Sequence, residues 1–155
     1  MVLPVVRVEF GIGLVILALA AALLLFLRRR KVRRHRKRIN IMRHIDTMSG
    51  ADFERFLAQY FRKQGYRVEV TKASGDFGAD LILRKGRKRI VVQAKRWTGT
   101  VGVSSVQEVV AARHYYRATE AMLITNSTLT RNAEKLAHGT DVKVWARACL
   151  LEKLQ

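Results

Sequence analysis

From residue 10 to residue 27 the chain reads FGIGLVILALAAALLLFL, eighteen positions without a charged or strongly polar side chain. That length sits near the lower limit for crossing a hydrocarbon core of about 30 Å, so the stretch predicts one transmembrane helix. Pro4, Arg7 and Glu9 interrupt the apolar character before it. A cleaved signal peptide is the rival reading. It is disfavoured because the basic cluster follows the apolar stretch and no small-residue cleavage pattern accompanies it.

Further on the hydrophobic period changes. Residues 39–48 read as a short connector, and Ser49 then offers a helix N-cap with Asp52 three positions later. Phe53, Phe56, Leu57, Tyr60 and Phe61 recur at i, i+3, i+4, i+7 and i+8, which predicts a helix with one aromatic face against a core, ended by Gly65. Short strands are predicted at 67–70, 79–83 and 89–97, the last two joined by a hairpin turn at Gly86. A helix at 103–116, a strand at 121–125, a helix at 130–138 and a strand at 142–145 complete the series. This order predicts an α/β fold, a mixed central sheet flanked by helices. The expected layout is an N-terminal segment at 1–27, a basic linker at 28–48 and one domain at 49–155.

Charge separates two tasks. The chain holds 30 Lys plus Arg against 12 Asp plus Glu, a formal net charge of +18. Residues 28–38 hold nine of those basic side chains and no acid, while residues 49–155 hold 19 basic and 10 acidic, an excess of +9. A basic run directly after an apolar helix is explained by the positive-inside tendency, which places the domain on the cytoplasmic side of a single-pass inner-membrane protein. The surplus on the domain itself asks for a polyanionic partner. The lone Cys149 excludes an internal disulfide framework, and no Cys/His zinc spacing occurs.

Asp80 opens one predicted strand, and Gln93 and Lys95 lie two apart on the next, so those two share a face of it. Pairing through the Gly86 turn brings Asp80 towards both. A carboxylate, an amide oxygen and an ammonium at one sheet edge suit hydrolysis. Oxygen ligands hold a hard cation such as Mg²⁺, and the lysine orients or activates water or stabilises developing phosphate charge.

Taken in order, FE at 53–54, GDFGADL at 75–81, VVQAK at 91–95 and VGVSSVQE at 101–108 resemble the Mrr-like branch of the PD-(D/E)xK nuclease superfamily, over roughly residues 50–145. The resemblance implies a restriction-endonuclease-like core with Asp80 as the motif acid, Gln93 and Lys95 as the second half of the motif, and Glu54 as an acid joining from the first domain helix. Asp80, Glu54 and Gln93 would then contact Mg²⁺ or another divalent cation. Gln93 departs from the acid more usual across the superfamily, which removes one negative charge and gives Glu54 more weight.

Other residues carry plainer readings beside these. Asp76 suits a local turn role in its Gly-rich segment. Ser105 and Gln107 belong near the site or face solvent, and His114 and His138 are structural. Lys85, Arg87, Lys88 and Arg89 form an ordinary exposed turn or track a DNA backbone. The expectation is a membrane-anchored, metal-dependent DNA endonuclease resembling type IV restriction endonucleases, with DNA and the membrane as partners and no small-molecule substrate. Two-strand cleavage by a chain with one site would favour a homodimer. The alternatives are a membrane-tethered DNA-binding protein without activity and a protein whose basic domain binds lipid.

Overall fold

A computed structural model describes residues 3–71 and 77–154, with side chains from residue 17 onward except 34, 35, 37 and 38. The chain divides into two units, Met1–Asn40 and Ile41–Gln155. Helix α1 (Leu3–Thr47) supplies all of the described first unit and the start of the second. Leu17, Leu19, Leu23, Leu24, Leu25, Phe26 and Leu27 are all exposed on it. Among the described residues no helix is long and apolar enough to cross a membrane. The predicted span at 10–27 begins in positions that lie outside the described side chains.

In the second unit α1 departs from expectation. Residues 39–47, read as a connector, are helical, and Met42 and Ile45 are buried in the core. Ile41, Ile45 and Met48 fall at i, i+4 and i+7, an apolar stripe that the preceding basic run disguises.

Helix α2 (Gly50–Lys63) begins as its sequence predicts. Ser49 accepts the Asp52 N–H at 3.1 Å, and its own hydroxyl donates to the Asp52 carboxylate at 2.6 Å. The face made by Phe53, Leu57, Ala58 and Phe61 is buried, and Gly65 takes the left-handed conformation that turns the chain out of the helix.

Five strands follow: β1 (Arg67–Val70), β2 (Leu81–Lys85), β3 (Lys88–Lys95), β4 (Glu120–Thr125) and β5 (Val142–Trp145). They lie side by side in sequence order, antiparallel from β1 to β3 and parallel from β3 to β5. The mixed sheet is as predicted. The parallel half requires crossovers, supplied by α3 (Val103–Tyr115) and α4 (Arg131–Gly139). A last helix, α5 (Arg147–Lys153), was not foreseen; it is short, its cap residue Ala146 offers no side-chain bond, and Leu150 alone is fully buried.

Alternation along the strands splits the core in two. Leu81, Leu83, Ile90, Val92, Met122 and Ile124 pack with α2, α5 and the end of α1 on one face. Val91, Ala121 and Leu123 pack with α3 and α4 on the other. Gln93 and Lys95 follow Val91 in the period of two, so β3 presents them to the α3 face.

Candidate active site

Antiparallel pairing of β2 with β3 ends with Leu81 opposite Val92, which sets Asp80 one step beyond, across from Gln93. The Asp80 N–H donates to the Val92 carbonyl at 2.8 Å. Its carboxylate in turn accepts the Ala94 N–H at 2.6 Å. The acid is therefore fixed against the backbone between Gln93 and Lys95, as the register argument required.

Gln93 is 5% exposed, and among the described residues its Oε1 is buried without a hydrogen-bond partner. Leaving an amide oxygen dry and unpaired is costly, on the order of 1–3 kcal/mol, so such an atom marks a place where a further group belongs. A hard cation beside the Asp80 carboxylate fits that need, because it prefers oxygen donors of both kinds.

Lys95 is held from α3. Its Nζ lies 3.3 Å from Glu108 Oε2, with both side chains partly exposed. Glu108 was quoted within the VGVSSVQE element but given no task. The signal was present, since Glu108 falls three residues after Ser105 on the same helical face.

The loop carrying Asp80 is docked on α3. Gly78 has φ +87, and a Cβ there would lie 2.6 Å from the Glu108 carbonyl oxygen. Phe77 stacks on Tyr115 with ring centroids 3.9 Å apart. Asp76 lies outside the described residues.

Glu54 is half-buried on α2, which packs on the face opposite α3, so its membership rests on the resemblance alone. Among the described residues no three His, Cys, Asp or Glu side chains come together as a metal site. The four basic hairpin residues lie elsewhere on the sheet. Lys85 donates to the Gln64 carbonyl at 2.9 Å, Lys88 pairs with Glu120 at 3.2 Å, and Arg89 donates to the Tyr116 carbonyl at 2.8 Å. Arg87 is exposed in the turn. All four lie at the end of β3 opposite Lys95, on the order of 20 Å away at about 3.3 Å per residue.

The Lys95 end opens instead into a cleft of about 230 Å³, bounded by Lys95 and Trp97 and by Thr100, Val101, Gly102, Ser104 and Ser105 at the start of α3. It lies at the carboxyl ends of the parallel strands, where open α/β sheets place ligands. Ser105 is buried there, while Gln107 faces solvent.

A polar network that sequence reading missed braces the same end. Asn126, just after β4, accepts the Trp97 N–H at 2.7 Å and donates to Asp46 at 2.7 Å. Arg147 grips both Asp46 oxygens, at 2.9 and 2.8 Å, and Arg96 donates to the Asp46 carbonyl at 2.8 Å. The Arg147 hydrogen bond holds the Asp46 carboxyl below its ordinary value, against burial, which raises it.

Three solved structures share this arrangement of strands and helices. They are AspBHI, a DNA modification-dependent restriction endonuclease (20% identity, TM-score 0.59, 78% of this chain and 35% of that one); MspJI restriction endonuclease in complex with a 27-mer oligonucleotide (21%, 0.55, 78% and 31%); and AF1548, a protein of unknown function (14%, 0.52, 60% and 55%). At these identities the likeness is one of fold, and the chain spans between 31% and 55% of their lengths. No curated protein matches the sequence. A family model described as restriction endonuclease, Mrr_cat, matches residues 45–154, more than two thirds of the chain. The chain belongs to the Mrr_cat restriction endonuclease family.

Proposed function

We propose that the chain is a divalent-metal-dependent DNA endonuclease anchored in the inner membrane by its N-terminal helix, with its domain on the cytoplasmic side. The observation that carries the catalytic part is the Asp80 carboxylate beside the orphaned Gln93 Oε1 and next to Lys95 on one strand end. Asp80 and Gln93 would hold the cation, with Glu54 as the auxiliary carboxylate. A bound divalent ion such as Mg²⁺ acidifies water and neutralises charge on the phosphoryl oxygens. Lys95 orients the attacking water and stabilises charge developing on the phosphate, while Glu108 sets the position of its ammonium. DNA as substrate follows from the family and from the +9 surplus on residues 49–155.

Anchoring is supported by the bare leucines of α1 and by the nine basic residues at 28–38. Fractionation of the full chain, with the domain shielded from protease in intact spheroplasts, tests it. Two-strand cleavage would bring two copies of this one-site chain together.

The catalytic reading is tested by nicking of supercoiled DNA at saturating Mg²⁺. Asp80→Asn and Lys95→Ala should each lose at least about a hundredfold in rate while circular dichroism shows both folded. Wild-type rates in both folded variants would sink this active site. The neutral Gln93 in place of an acid leaves one rival open, a DNA-binding protein without activity. Unmutated chain that binds DNA yet nicks none with any divalent ion would establish it.

A further inference from the structure

Helix α3 starts in a way that leaves its positive end open. Its cap, Gly102, has no side chain to offer, its first turn holds no acidic residue, and the first N–H groups of any α-helix lack acceptors within it. Ser104 and Ser105 of that turn border the cleft beside Lys95.

Ser105 gives an independent sign of a ligand. It is only 5% exposed, yet its hydroxyl makes no hydrogen bond among the described residues. The residue borders a cavity with room for a guest, and a hydroxyl with no partner in the protein is free to meet one there. The segment leading into the turn is also fixed. The Val101 N–H donates to the Thr128 carbonyl at 2.8 Å, and the Thr130 N–H donates to the Val101 carbonyl at 2.9 Å. Donors held in place before a ligand arrives bind it with little ordering cost.

Backbone N–H groups, a hydroxyl and an ammonium converging on one cleft ask for a tetrahedral anion. Two carboxylates stand near Lys95, Glu108 in a 3.3 Å ion pair with it and Asp80 bound to the Ala94 N–H, so the attraction for an anion comes from the helix N–H groups and the hydroxyl as much as from the ammonium. The polar surface continues past Trp97 into a second cleft bordered by Thr98, Ser127 and Thr128, which suits a strand better than an isolated ion.

We propose that the N-terminal turn of α3, with the Ser105 hydroxyl, seats a backbone phosphodiester of the DNA strand beside Lys95. The anion site stands on the geometry; that the strand is DNA rests on the nuclease reading above.

The test uses the full chain in neutral detergent with chelator present, so that binding is read without cleavage. Labelled duplex DNA is titrated by fluorescence anisotropy, with inorganic phosphate as competitor, against Ser104→Glu and Ser105→Ala. Ser104 is exposed, and a carboxylate in the first turn favours the helix, so Ser104→Glu should melt no lower than wild type. Its DNA affinity should nevertheless fall about tenfold, and that of Ser105→Ala several-fold, as expected for losing hydrogen bonds to a charged group. Inorganic phosphate should compete less well with DNA on both variants.

Wild-type affinity in both folded variants overturns the seat, and it does so even if the unmutated chain cleaves DNA with Mg²⁺. Loss confined to phosphatidylglycerol in mixed micelles, with DNA affinity intact, assigns the turn to lipid and also overturns it. Weakened DNA binding in the variants of a chain that cleaves nothing upholds the seat and removes the nuclease reading instead.

Discussion

Gly78 meets α3 so closely that a Cβ placed on it would lie 2.6 Å from the carbonyl oxygen of Glu108. The backbone of Glu108 thus receives the loop that delivers Asp80, and the side chain of the same residue holds Lys95 at 3.3 Å. Two halves of the candidate site, one from each strand, are referred to a single turn of α3.

Gly78→Ala should therefore damage the site from a distance of two residues. The substitution adds a Cβ at φ +87, where side chains are strained, and drives it into backbone that cannot rotate away. A loss of about 2–4 kcal/mol in urea denaturation is expected, with nicking reduced further than the residual folded fraction explains. Wild-type stability and rate together would show that the loop does not dock here.

Glu108→Gln preserves shape and removes the charge facing Lys95. Both side chains are partly exposed, so stability should change by less than about 1 kcal/mol. Nicking should fall about tenfold, because the lysine loses the group that positions it. If the variant nicks at the wild-type rate, Lys95 is positioned by something else.

Acid should weaken the brace at the Trp97 end of the sheet. Asp46 has its folded pKa lowered by the Arg147 hydrogen bond, so its contribution is full above the unfolded carboxylate value of about 4 and is lost as pH falls through the folded value. Glu120 is lowered in the same sense by Lys143, so the informative quantity is a difference between variants. The stability gap between wild type and Asp46→Asn should be constant near neutrality and narrow below about pH 4. A gap that stays unchanged in acid would remove Asp46 from the brace.

How far the sequence carried this description depends on the range of each interaction. The cap at Ser49, the aromatic face of α2 and the alternation that puts Gln93 and Lys95 on one face are local, and each stands where its spacing put it. The partners of the basic hairpin are not local, and charge alone does not reveal them. Lys88 finds Glu120 and Arg89 finds the Tyr116 carbonyl only once β4 lies alongside β3. Asp46 and Arg147 meet across 101 positions of sequence, and no period reveals such a pair. Helix α5 was missed for another reason, since seven residues without a side-chain cap give little periodicity to read.

The end of α1 is the place where this matters most for handling the protein. Cutting at the expected domain start, residue 49, would remove Met42 and Ile45, both buried against α2 and the sheet. Losing a buried Ile to Ala alone costs about 2–5 kcal/mol, and the cut removes both side chains outright. It also deletes Asp46, leaving Arg147 and Asn126 without the carboxylate they share. A fragment beginning at residue 39 keeps all three residues and should unfold cooperatively. One beginning at residue 49 should melt at least about 10 °C lower, by the usual ratio of stability to midpoint for a domain of this size, or fail to fold. Ile45→Ala in the longer fragment separates the two losses, since it removes the packing and spares Asp46. Equal melting midpoints for the 39–155 and 49–155 fragments would show that the end of α1 lies on the domain without stabilising it.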